Sequence, residues 1–71
     1  MQVIFNGAEL YESDFSNSKF SSVSFQAANL HKANFSGVEC QQVDFTNANL
    51  SFSNLQGVDF GDANLIGADL Y

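Results

Sequence analysis

An all-β fold, a four-sided parallel solenoid, is what this 71-residue sequence predicts, and three observations carry the prediction. Every fifth residue is Phe, Leu or, once, Cys: Phe5, Leu10, Phe15, Phe20, Phe25, Leu30, Phe35, Cys40, Phe45, Leu50, Leu55, Phe60, Leu65 and Leu70. The residue two before each of these is Val, Ala or Ser. Like residues recur at a spacing of twenty: Ala8, Ala28, Ala48 and Ala68; Leu10, Leu30, Leu50 and Leu70; Val3, Val23 and Val43; Phe5, Phe25 and Phe45. A period of five suits neither the 3.6-residue helix nor the two-residue strand. A spacing of fifteen mixes Leu10, Phe25, Cys40, Leu55 and Leu70 in one column, whereas twenty aligns the like residues just named, so four pentapeptides close one coil.

Each pentapeptide reads as a short strand plus a corner. In Ala48-Asn49-Leu50-Ser51-Phe52, alternation points Ala48 and Leu50 inward and Asn49 outward. The next two residues turn the chain, and corner positions such as Gly7, Asn17, Gly37, Asn47, Gly57, Asp62 and Gly67 are residue types that tolerate turn dihedrals. In chain order the coils are Val3–Ser22, Val23–Gln42 and Val43–Asp62, followed by the half-turn Ala63–Tyr71. They make a single domain over residues 1–71, about 3.5 coils and roughly 17 Å tall at the parallel-strand spacing. Stacked Phe, Leu, Val and Ala ladders fill the interior. Cys40 falls in the inward column between Phe20 and Phe60 and acts there as a small hydrophobe, and its smaller size predicts a local packing defect or a shifted Phe ring.

Composition narrows the function. Lys19 and Lys32 are the only Lys or Arg residues, against Glu9, Glu12, Asp14, Glu39, Asp44, Asp59, Asp62 and Asp69, for a net charge of −6. That sign repels nucleic acid and anionic membrane surfaces and leaves a basic partner open. One cysteine forms no internal disulfide, no charged-plus-apolar leader opens the chain, and no apolar run is long enough for a membrane span. The expectation is a soluble, cytoplasmic protein.

Catalytic, cofactor and metal sites are not expected. His31 follows inward Leu30, so its ring belongs outside, with Tyr11 and Ser51 as lattice neighbours and no second metal ligand or partner for general-base work. The serines lack a base at hydrolase spacing, and the glycines fall at corners rather than in a phosphate-cradling loop. Glu9, Asp14, Glu39, Asp44, Asp59 and Asp69 occupy outward strand centres, and Glu12 and Asp62 occupy corners, which reads as a solubilising surface.

Two features depart from this bland surface. After the Leu10/30/50/70 column the outward residues are Tyr11-Glu12, His31-Lys32, Ser51-Phe52 and Tyr71, while the other corners carry mostly small or polar residues. Aromatics grouped beside charges are what protein interfaces favour, so Tyr11, His31, Lys32, Phe52 and Tyr71 form the candidate interaction face. No capping segment is read at either end of the lattice, so Phe5 and Leu10 at one end and Leu65 and Leu70 at the other are candidate end-to-end contacts in a homodimer, the alternatives being a piece of a longer protein or end coils that close imperfectly.

Ala28-Asn29-Leu30, Ala33-Asn34-Phe35, Ala48-Asn49-Leu50, Ala63-Asn64-Leu65 and Ala68-Asp69-Leu70 resemble the A(D/N)LXX unit of pentapeptide-repeat proteins, and the resemblance runs from Val3 to Tyr71. Ser13, Ser18 and Ser53 in place of Ala or Val, Lys19 in place of Asp or Asn, and Cys40 in place of Leu or Phe are mild departures. The resemblance implies a right-handed quadrilateral β-helix without enzymatic activity. It also implies a binding or scaffold module, with a protein partner whose identity the sequence does not give. The alternatives are an acidic mimic of the DNA duplex acting on a topoisomerase such as gyrase, as one branch of the family does, and a purely structural spacer. Fold alone does not transfer that branch's function.

Overall fold

A computed structural model describes residues 2–71; Met1, the first residue of the expected domain, lies outside the described residues. The described chain is all-β, with strands β1 (Val3–Ile4), β2 (Lys19–Ser21), β3 (Val23–Ser24) and β4 (Glu39–Gln41). β1 pairs in parallel with β3, setting Val3 opposite Val23, and β2 pairs with β4, setting Phe20 opposite Cys40. Elsewhere the ladders consist of single parallel bridges: Glu9 to Asn29 to Asn49 to Asp69, Asp14 to Asn34 to Asn54, Ser24 to Asp44 to Asn64, and Glu39 to Asp59. Every pair is offset by twenty residues, the spacing of the sequence columns. The strand expected in each pentapeptide is mostly one bridging residue long. Two of every five residues turn the chain, so only the centre of each small-polar-large triplet lies in ladder geometry.

Backbone groups are shared between coils in a fixed pattern. The large residue and the second corner residue donate to the following coil, as Phe5 N–H does to Ser24 O (2.7 Å) and Gly7 N–H to Gln26 O (2.8 Å). The central polar residue donates back, as Asn29 N–H does to Ala8 O (2.9 Å). Most corners are closed by a turn bond, for example Ala8 N–H to Phe5 O at 3.0 Å. The second corner residue takes a positive φ even where it is not Gly, Asn or Asp, including Glu12, Ser22, Ala27, Lys32, Gln42 and Phe52. The expected tolerance of corner residue types therefore understates the demand: lattice hydrogen bonding imposes the left-handed dihedral on whatever residue is present.

Asp62 is the exception among the corners named from sequence. There the positive φ falls on Gly61 (φ 51), the first corner residue, which is the type II′ pattern rather than type II. The reason and its consequence are visible in the preceding coil. Ser22 N–H bonds to Gln41 O (2.9 Å), but Gln42 N–H bonds to the Asp62 carboxylate (2.6 Å).

The core sits in the middle of the stack. Phe25, Leu30, Ala33, Phe35, Val38, Val43, Phe45, Ala48 and Leu50 are buried, as the inward pattern requires. Rings at a spacing of twenty stack face to face: Phe5 on Phe25 (5.3 Å), Phe25 on Phe45 (5.2 Å) and Phe15 on Phe35 (5.2 Å). Rings on adjacent sides meet edge-on, as Phe25 and Phe35 do at 6.1 Å. Cys40 interrupts one ladder, so Phe20 and Phe60 make edge contacts with Phe25 and Phe45 instead of stacking on one another. Ser53, an inward serine, donates its hydroxyl to Leu30 O (2.9 Å), so its polar atom is satisfied inside the coil.

Burial and the nearby Asp59 carboxylate push the Cys40 thiol up to about 11 from an ordinary 9.0. The expected outcome is slow alkylation by iodoacetamide at pH 8 that accelerates only on unfolding. The unfolded thiol ionises first, so this group's stabilising contribution is full below pH 9 and is lost as pH rises through 11. Chemical denaturation of wild type and Cys40→Ala across that range checks it: the variant should show the smaller alkaline decline.

Candidate interaction face

The corner after each inward leucine of the Leu10 column presents the face. Tyr11 is 57% exposed, Phe52 74% and Tyr71 92%; Lys32 is exposed and His31 half-buried. Glu12, Lys32 and Phe52 hold the left-handed corner position at φ 61, 60 and 59. The lattice brings His31 and Phe52 together, their ring centroids 5.6 Å apart and edge-to-face. Among the described residues no ring pairing joins Tyr11 or Tyr71 to these two; they extend the exposed aromatic surface to either side.

His31 is more firmly held than a solvated surface histidine. Its Nδ1 lies 2.7 Å from Ser51 Oγ, and Ser51 Oγ lies 2.6 Å from Asn49 Oδ1. Asn49 Oδ1 also accepts Ser51 N–H at 3.0 Å. An amide oxygen carries no proton, so the Ser51 hydroxyl must donate to Asn49, and Ser51 Oγ must accept from Nδ1–H of His31. The relay fixes the ring's orientation and leaves Nε2 as its free nitrogen. Hydrolase spacing along the chain misses this pair because the twenty-residue coil, not local sequence, puts His31 over Ser51. Ser51 is buried and its only proton is committed to Asn49, an arrangement that positions the imidazole rather than activating a nucleophile.

The central Asp and Asn residues do more than solubilise. Asp14, Asn29, Asn34, Asp44, Asn49, Asn54, Asp59, Asn64 and Asp69 each accept the N–H two residues on, at the first corner residue. Their side chains thus satisfy a donor that neither turn nor ladder uses. These bonds hold two carboxyls below the ordinary range: Asp14 through the Ser16 hydroxyl and N–H, and Asp44 through the Gln26 amide and the Thr46 hydroxyl and N–H. Where the central residue is Ser24, the Gln26 N–H turns to Asn6 Oδ1 of the preceding coil (2.9 Å). Ser24 Oγ donates to the same oxygen and is buried, although its strand-centre position points outward by alternation.

This region borders a groove of about 550 Å³ along Gln2, Ile4, Asn6, Ser24, Gln26 and Asp44, where several polar groups bond to one another. The second groove runs beside Cys40 between Lys19 and Glu39, which form an exposed ion pair at 3.8 Å. Among the described residues no cluster of three metal-ligating side chains occurs, and no helix is long and apolar enough to cross a membrane. At the ends, Phe5, Leu10 and Leu65 are half-buried and Leu70 is 44% exposed, so all four candidate end contacts retain accessible apolar surface.

The profile of the pentapeptide repeat region matches residues 1–70. Among curated proteins, no sequence matches the chain.

Proposed function

The chain belongs to the pentapeptide-repeat family, and on that premise we propose that it is a non-catalytic interaction or scaffold module that docks a protein partner on the Tyr11, His31, Lys32, Phe52 and Tyr71 face. The reading takes the chain as one domain, a right-handed quadrilateral coil of about 3.5 turns, that displays side chains on a rigid lattice. Self-association through the apolar edges at Phe5, Leu10, Leu65 and Leu70 accompanies it, and a lone free thiol suits a reducing, cytoplasmic setting.

Phe52 carries the argument. Among the described residues it is the only aromatic at a left-handed corner, and it leaves 74% of its surface in solvent. A bulky side chain in that region is disfavoured by roughly 1–2 kcal/mol, and with most of the ring in solvent its edge contact with His31 offsets only part of that. Strain combined with exposed apolar surface marks positions kept for recognition.

Phe52→Asn should therefore raise stability by about 1 kcal/mol, since Asn tolerates the left-handed region, while weakening partner binding. Thermal denaturation and affinity capture on the same variant read both effects. Capture that is lost on changing Tyr11, His31 and Phe52 to Ser, yet retained in Glu39→Gln, supports the face. Capture that survives the triple change refutes it.

A further inference from the structure

We infer that the partner segment docking on this face is arginine-bearing, with a guanidinium laid on the exposed aromatic rings and donating to His31 Nε2 and the Glu12 carboxylate. The inference rests on the face being an interaction surface and names the chemistry it takes. With Nδ1–H committed to Ser51, Nε2 is left as the ring's acceptor nitrogen, and Phe52 stands edge-to-face beside the ring. Phe52, Tyr11 and Tyr71 supply exposed π-faces, which attract planar cations. Glu12 stands one coil from Lys32 in the same corner column and is exposed.

Charge favours the same occupant. The chain carries −6, and of its two lysines Lys19 is paired with Glu39, so the overall field draws a cationic segment inward. Lysine fits less well than arginine, because a compact ammonium neither stacks on a ring nor donates in a planar fork to two acceptors. Lys32 is the one opposing group on the face, and it makes the inference testable by sign. An acidic partner needs Lys32, whereas an arginine partner binds better without it.

The test is fluorescence anisotropy of a labelled octapeptide of alternating Arg and Gly, alongside its Lys and Asp counterparts, against the folded 71-residue chain. The expected result is binding in the order Arg, then Lys, with the Asp peptide unbound. Phe52→Ser and Glu12→Gln should each weaken the Arg peptide about fivefold or more, and Lys32→Gln should strengthen it. Circular dichroism on each variant confirms the fold. Equal loss in Glu39→Gln, on a different side of the coil, would reduce the binding to diffuse attraction and overturn the inference. Weaker binding in Lys32→Gln, or preference for the Asp peptide, overturns it as well. If partner capture depends on Tyr11, His31 and Phe52 while the Arg peptide does not bind, only this inference falls. If capture ignores those residues, the face itself falls.

Discussion

Phe25→Ala is expected to unfold the protein or bring it close to unfolding. Phe25 is fully buried and meets five other rings: stacked on Phe5 and Phe45, and edge-on to Phe15, Phe20 and Phe35. Removing a buried phenyl ring costs about 3–5 kcal/mol from lost transfer energy and the cavity left behind. A chain of this length has only about 4–10 kcal/mol in total. The loss is concentrated because each coil buries its face only on its neighbours, so a void in the second coil weakens both interfaces it makes. Urea denaturation should show a midpoint shifted far downward, with Phe25→Leu intermediate because it refills part of the space. The conservative Phe60→Leu is the contrast: Phe60 is half-buried and lacks a stacked partner, so its loss should be about 1 kcal/mol. Equal destabilisation at both sites would mean that the central ring stack has no special weight.

The contrast between Phe25 and Phe60 also shows what the sequence made legible. Column identity placed Phe25 between Phe5 and Phe45, and the twenty-residue register reproduces that order without exception. The exposed corner after each leucine was equally readable, because it needs only alternation and the period. What the columns did not show was how side chains pair across coils. The Asn49–Ser51–His31 relay, the Asn6 oxygen shared by Ser24 and Gln26, and the edge contact of His31 with Phe52 depend on rotamers and on which oxygen a hydroxyl reaches. None of these follows from residue class at a column position. A signal was present for the central Asp and Asn residues: they stand two before a first corner residue whose N–H needs an acceptor, and a short side-chain oxygen reaches it. Glu9 and Glu39 at the same position do not form that bond; Glu9 instead accepts from the Asn29 amide and Glu39 pairs with Lys19.

Gly61→Ala is expected to be the most damaging of the corner substitutions, and comparison with Gly7→Ala shows why. Both glycines have positive φ, +51 and +70, so alanine at either carries the left-handed penalty of about 1–2 kcal/mol. Around Gly7 an added Cβ meets nothing within 4 Å. At Gly61 it lies 2.6 Å from the Cys40 carbonyl oxygen, a backbone atom that cannot swing aside. Relief requires the corner to revert to the pattern of the others, with positive φ moved onto Asp62. The Asp62 carboxylate is then carried off the Gln42 N–H, while the Asp59 bond to the Gly61 N–H (3.0 Å), which corners of the other pattern also make, is kept. The reverted corner could restore a backbone acceptor for Gln42, as Gln41 provides for Ser22, so the net loss should be about 2–4 kcal/mol rather than complete unfolding. Gly7→Ala should lose about 1 kcal/mol, and thermal denaturation of the pair separates the steric part from the dihedral part. A second reading comes from Asp62→Ala in each background. It should destabilise the wild type by removing the Gln42 acceptor, and do little in Gly61→Ala, where that bond is already gone. Full additivity of the two changes would show that the carboxylate, and not the glycine, governs the geometry of this corner.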